Sequence, residues 1–215
     1  MLTLFISATL ETLYMVFASG LVALLLGLPC AVLLYMTQRG HFAQHNIFNH
    51  LFGIFINAVR SIPFIIFMIA LIPLTRLIVG TPIGTTATIV PLSLAAAAFL
   101  ARVHESALNE VPRGLIEAAT AMGASKWQII WRVLLKEAMP GLVRGITITL
   151  IVLIGYSAMA GVIGGGGLGA LAYQYGYQRF DTSVMVITVI ELIVMVQLIQ
   201  WLGDFWVVKK LSHGK

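Results

Sequence analysis

LYMVFASGLVALLLGLPCAVLLYM, residues 13–36, is a run of 24 residues without one charged side chain. As an α-helix rising about 1.5 Å per residue it is longer than the roughly 30 Å hydrocarbon core of a bilayer. The chain around it has the same character: 215 residues, 60% hydrophobic and 10% charged, where soluble domains carry about 25% charged residues. That is more apolar surface than one core can hide from water, so lipid is the main solvent. The length fits one membrane domain. A net charge of +5 fits Lys and Arg held at one membrane face better than nucleic-acid binding. Cys30, the single cysteine, lies in this run and reads as a small buried apolar residue. It excludes an internal disulfide and a thiolate metal cluster. No Lys or Arg precedes the first apolar stretch, so the N-terminus is expected to be retained rather than removed as a secretory signal.

Working outward, Arg39 and His41, His45 and His50 follow the first span, and residues 51–58 are apolar but too short to cross. They either lie along the interface or lead into the next span. Pro63 suits a helix start, so a second span is placed at 61–79 with a kink at Pro73 and a turn from Gly80 to Gly84. The third, 85–101, carries Ser93, Ala97 and Ala101 four apart, a spacing that lets helix backbones approach closely; Ala23 and Gly27 repeat the device in the first span. Residues 145–163 form the fourth span, ended by GGGGLG and a loop with three tyrosines. The fifth, 183–202, is closed by Trp201, Phe205 and Trp206 at interfacial depth. An all-α polytopic protein with five transmembrane helices is predicted.

Between the third and fourth spans, residues 102–140 hold nine of the 21 charged residues. Leu115, Ala118, Ala119 and Met122 recur at amphipathic spacing, with Pro112 near the start and Gly123 at the stop. A second helix follows. Ser125 and Gln128 have capping-box spacing, and Trp127, Ile130, Val133 and Leu134 form another apolar stripe. Such a hairpin either rests on headgroups or docks in a groove of a partner. With the N-terminus outside, nine Lys and Arg (Arg39, five between Arg102 and Lys136, and Lys209, Lys210 and Lys215) face the cytoplasm, against Arg76 and Arg179 outside. Arg60 and Arg144 lie at span ends and snorkel to the cytoplasmic interface.

EAATAMG, residues 117–123, followed by Val133 and Leu135, resembles the EAA loop of ABC importer permeases, with Lys136 where that family usually has proline. RSIPF at 60–64, IVGTPIG at 78–84 and GYSAMAGVIGGGGLG at 155–169 extend the resemblance over nearly the whole chain and are similar to its methionine-uptake branch. The resemblance implies a type I importer permease of a bacterial inner membrane. Two copies form the pathway, two separate ATPase subunits bind ATP and magnesium below, and an extracytoplasmic lipid-anchored protein delivers L- or D-methionine. Glu117, Ala118, Ala119, Met122, Gly123, Ala124 and Ser125 would then form the coupling helix seated in the ATPase. Ala118 and Ala119 keep one face thin, Glu117 offers a charge, and Gly123 permits a sharp turn. Tyr156, Ser157 and Met159 are candidates to line or gate the pathway, or else pack as ordinary helix residues. Another amino acid or small nutrient is the alternative cargo; a channel or embedded enzyme needing no ATPase is the alternative class.

Other motifs lack their context. Gly164, Gly166 and Gly169 match G-x-G-x-x-G but follow a helix rather than a strand; a bend beside the binding-protein face is expected instead. His104 and Glu105 open like a zinc motif, yet position 108 is leucine, so no metal site follows. No G-x-x-x-x-G-K-[ST] is present, so the chain cannot cradle ATP, and no cofactor or catalytic residue is expected in it. Glu191, inside the fifth span, faces a dimer interface, pairs with a polar group, or stays protonated. Gln197 and Gln200 have the same standing.

Overall fold

The structure, a computed structural model, describes residues 1–41 and 43–212, with side chains as far as Lys209. Lys215 and the side chain of Lys210, both part of the charge count above, lie outside the described residues. Eleven helices account for most of these residues, and there is no strand among them. Four helical segments are long and apolar enough to cross a bilayer, and a sharply bent segment supplies a fifth candidate crossing.

Helix α1 (Leu2–Thr37) begins well ahead of the uncharged run at 13–36. Glu11 can sit inside it because its carboxylate accepts the Gly167 N–H at 2.7 Å. Helix α2 (Asn46–Ser61) is capped at its start by His45, whose Nδ1 accepts the Phe48 N–H at 3.1 Å. It is tied to the last turn of α1 by Asn49, which donates to the Leu34 carbonyl at 2.7 Å and to the Thr37 hydroxyl at 2.9 Å. At Pro63 the chain turns by 104° into α3 (Phe64–Ala70). Residues 51–58 thus belong to an arm set across the second apolar segment. That segment is itself broken: α4 (Ile72–Val79) starts after Leu71, two residues before the expected kink. Pro73 lacks an N–H and its ring crowds the carbonyl four residues back, so the irregularity falls N-terminal to the proline.

Helix α5 (Thr85–Asn109) runs eight residues past the expected end at 101. Its extra turns carry Arg102 and Glu105, which neutralise each other at 2.7 Å. Short helices α6 (Arg113–Ala121), α7 (Lys126–Gln128) and α8 (Leu135–Glu137) follow, with π-helical turns at Ile129–Leu134 joining the last two. Lys136, at the family's usual proline position, lies within helix. Helix α9 (Met139–Ala160) takes up the chain at once with Pro140 in its first turn.

Beyond α9 the glycine run forms π-helical turns and a bend. It is followed not by a loop but by α10 (Gly167–Leu171) and further π-helical turns that hold the three tyrosines. Helix α11 (Thr182–Ser212) is opened by Asp181, which accepts the Val184 N–H at 3.2 Å.

Helices α1, α5 and α9 form the centre, with α2 on the α5 side and α11 on the α9 side. Small residues mark the crossings. A Cβ at Gly27 of α1 would sit 2.8 Å from the Ala97 carbonyl oxygen of α5, and one at Gly145 of α9 would sit 2.7 Å from the His104 ring. Ser93, Ala97 and Ala101 are all buried, as the four-residue spacing predicts. Leu10, Phe17, Leu21 and Leu25 of α1 and Ile190, Ile193 and Leu198 of α11 face outward.

Candidate coupling surface and translocation site

Helix α6 ends where the sequence places its stop, and the hydrogen bonds say how. Gly123 adopts φ +79°, its N–H donates to the Thr120 carbonyl at 3.0 Å, and the Ala124 N–H donates to the Ala119 carbonyl at 3.1 Å. This pair of bonds around a left-handed residue is the Schellman stop. Two residues later Ser125 starts α7: its hydroxyl accepts the Gln128 N–H at 3.3 Å while its own N–H donates to the Gln128 side chain at 2.9 Å. Both halves of the capping box are present. The connection is therefore fixed at both ends by local bonds, and the hairpin is held as a unit.

The faces of that hairpin differ from a simple amphipathic reading. Ala119 is buried, and Ile116 is partly buried and packs against α1, α5 and the π-helical turns. Leu115, Glu117, Ala118, Gly123 and Ser125 are exposed, and Met122 is 82% exposed. Ala124 is half-buried. Of the apolar residues spaced along α6, then, only Ala119 faces inward; Leu115, Ala118 and Met122 are turned away from this chain. The second helix divides similarly. Ile130 and Leu134 are buried, whereas Trp127 and Trp131 are exposed and meet edge-on with centroids 5.4 Å apart.

Behind α6 lies a cavity of about 560 Å³ lined by Tyr35, His41, Arg113 and Glu117 among others. His41 packs edge-on against Tyr35 at 4.3 Å. Burial, and then the positive charge of Arg113, hold its imidazole below the ordinary pKa.

The three residues singled out in α9 are not brought together. Tyr156 lies flat on Phe64 of α3, with centroids 4.5 Å apart and planes 3° from parallel. Ser157 is buried and donates back to the Ile154 carbonyl at 2.8 Å. Met159 is 49% exposed. Only Tyr156 lines the cavity of about 580 Å³ between α2, α3, α5 and α9, together with Arg60, Phe64, Phe67 and Phe99. Arg60 stays by that cavity, its guanidinium 5.6 Å from the Phe99 ring centroid. Arg60 and Phe64 both stand in the RSIPF motif; proximity to Tyr156 is what sequence spacing could not reveal.

Two polar joints were also missed. Glu105 accepts from Gln38 of α1 at 2.8 Å and from Arg102, which in turn donates to Asn57 at 3.0 Å and to the Gly53 carbonyl of α2 at 2.7 Å. At the other end, Glu11 and Thr12 of α1 accept the Gly167 and Leu168 N–H groups at 2.7 and 2.9 Å. The first turn of α10 is thereby satisfied by α1, and the glycine run bends with Gly164, Gly166 and Gly167 at positive φ. Glu191 Oε1 lies 3.3 Å from the Thr9 hydroxyl of α1, which also donates to the Phe5 carbonyl at 2.8 Å, and its Oε2 is buried without a partner among the described residues. Gln200 donates to Asp204 at 3.0 Å. Among the described residues no group of three metal-ligating side chains is assembled.

This geometry has counterparts among known proteins. Residues 23–208 match the family described as binding-protein-dependent transport system inner membrane component. The D-methionine transport system permease MetI described as probable in Vibrio cholerae is 50% identical over 210 residues, covering 98% of this chain and 93% of that one. The D-methionine permease MetI of Escherichia coli K12 is 52% identical over 161 residues, 75% of this chain and 74% of its own. A solved inward-facing conformation of the MetNI methionine ABC transporter superposes with a TM-score of 0.96 at 49% identity, covering 98% of this chain and 97% of that chain. An amino acid ABC transporter solved with histidines shares the fold, with a TM-score of 0.78 at 22% identity. With four apolar crossings, a bent fifth candidate and an exposed EAA hairpin, this chain belongs to the family of binding-protein-dependent transport system inner membrane components.

Proposed function

We propose that this chain is the membrane-spanning subunit of an ATP-driven ABC importer that carries methionine into the cytoplasm. It is a transport subunit and not an enzyme; ATP is hydrolysed on a separate ATPase subunit. Two copies of the chain enclose the pathway, two ATPase subunits grip the α6–α7 hairpin, and an extracytoplasmic binding lipoprotein delivers the cargo. The N-terminus faces outside and the C-terminus the cytoplasm, in keeping with the lysine and arginine count.

The observation that carries this reading is the outer face of the hairpin. Ala118 and Met122 stand exposed on a helix whose stop, and the restart that follows it, are fixed by local bonds, and Glu117, also exposed, borders the cavity behind. Such a helix moves as a rigid piece, so closure of a partner around it is transmitted to α5 and α9, the helices at the two ends of the segment. An ATPase that binds the hairpin better in one arrangement than the other shifts the population between inward-open and outward-open states. Methionine as cargo follows from the relatives that carry its name and match nearly the whole chain.

The test is uptake of labelled amino acids into proteoliposomes holding the complete complex. ATP-dependent accumulation of methionine is expected; accumulation of a different solute would reassign the cargo, and flux without the ATPase would remove the importer reading.

A further inference from the structure

We infer that the cavity at the α2–α3 break is a substrate subsite in which Arg60 holds the carboxylate of the transported amino acid and Phe64 and Tyr156 hold its apolar side chain. This rests on the importer reading above and adds the residues of this chain that recognise the cargo on its path. The cavity, about 580 Å³, lies within the range of small-molecule sites. Its chemistry is divided in the way an amino acid requires.

One side is cationic. Arg60 is exposed to the cavity, leans on the Phe99 ring, and forms no ion pair among the described residues. Arg102, on α5, is by contrast engaged through all three of its nitrogens by Glu105, Asn57 and the Gly53 carbonyl. A guanidinium presents a planar fork of donors that matches a carboxylate in two parallel bonds, and the match strengthens where water is scarce.

Much of the remaining lining is aromatic. Phe64 and Tyr156, stacked flat, form one surface continuous with Phe67, and sulfur against ring faces and edges is a favourable contact. The C-terminal end of α2 borders the same cavity through Val59, Ser61 and Ile62, and the partial negative charge of a helix C-terminus suits an ammonium group. Arg60 is shared with a second cavity of about 410 Å³ that also holds Arg144 and Glu110, which gives the carboxylate a charged onward path.

Equilibrium dialysis of the detergent-solubilised permease–ATPase complex without its binding protein, using labelled methionine and subtracting the binding of the ATPase subunit dialysed alone, tests this. Unlabelled methionine should displace the label, and methioninamide, which lacks the carboxylate, should do so at least about tenfold less well. In Arg60→Gln, verified as assembled by size exclusion, binding should fall at least about tenfold and the preference over the amide should disappear. Retained binding and preference in that variant, equal displacement by the amide in wild type, or no saturable binding to wild type would each overturn the assignment. If Arg60→Gln fails to assemble, the amide comparison on wild type decides. ATP-driven uptake by the same wild-type complex with its binding protein reports separately on the importer reading.

Discussion

Gly123 holds its backbone at φ +79° with nothing within 4 Å of where a Cβ would stand. A substitution there meets strain rather than a clash, about 1–2 kcal/mol for an ordinary residue in the left-handed region and more for a β-branched one. Gly123→Val is therefore expected to insert and fold, since the hairpin is peripheral, and to lose ATP-driven uptake as the stop of α6 is distorted. Normal uptake by that variant would count against the coupling role. Glu11 makes a different kind of contribution: its carboxylate accepts the Gly167 N–H, and removing it strands a partly buried donor. Glu11→Ala should destabilise by about 1–3 kcal/mol, and Glu11→Gln, which keeps an acceptor, by less. Thermal unfolding of the purified protein in detergent measures both, and an unchanged midpoint for Glu11→Ala would show the bond to be dispensable.

Helices meet in this protein where side chains are smallest. The α1–α5 crossing depends on Gly27, whose Cβ would press on the Ala97 carbonyl oxygen and on Leu100. Backbone cannot move aside as a flexible side chain does, so Gly27→Leu should cost at least about 1–3 kcal/mol by overpacking. The readout is a lower thermal midpoint and reduced yield of folded protein. Gly123 tolerates bulk sterically and Gly27 does not, although both are glycines in helical contexts. The α6–α7 joint has a smaller lever: Ser125→Ala removes half of the capping box and should cost about 1 kcal/mol. Coupling of uptake to ATP hydrolysis should decline before expression does, because the loosened element is the transmitting one.

Across the whole molecule, two polar joints tie the ends of α1 to other helices. Near the hairpin, Gln38, Glu105, Arg102 and the Gly53 carbonyl link α1, α5 and α2; at the far end, Glu11 and Thr12 hold α10. Arg102→Ala would free the α2 arm from α5 and leave Glu105 with Gln38 alone, an uncompensated charge at a partly buried site. A loss of about 2–3 kcal/mol is expected, at the lower edge for a broken buried pair because Arg102 is partly exposed. Faster hydrogen exchange or proteolysis confined to α2 would report it; unchanged protection there would show that the arm is held by packing instead.

Length, composition and the uncharged runs determined the solvent, the helical class and nearly all the crossings, because a bilayer demands long apolar segments and satisfied backbone. Local chemistry was equally plain in the hairpin: Gly123 and the Ser125–Gln128 pair act within a few residues of themselves, and both stop and restart lie where their spacing puts them. Charged residues were where the reading fell short. Arg102 reads as the end of a span and Glu11 stands ahead of the first uncharged run, yet each lies inside a helix because partners far along the chain, Asn57 and the Gly53 carbonyl for Arg102 and the Gly167 N–H for Glu11, satisfy it. The 104° turn at Pro63 and the stacking of Tyr156 on Phe64 belong to the same class. Periodicity reports which residues share a face of one helix; only packing brings faces of different helices together, and it is there that the cavity beside Arg60 is made.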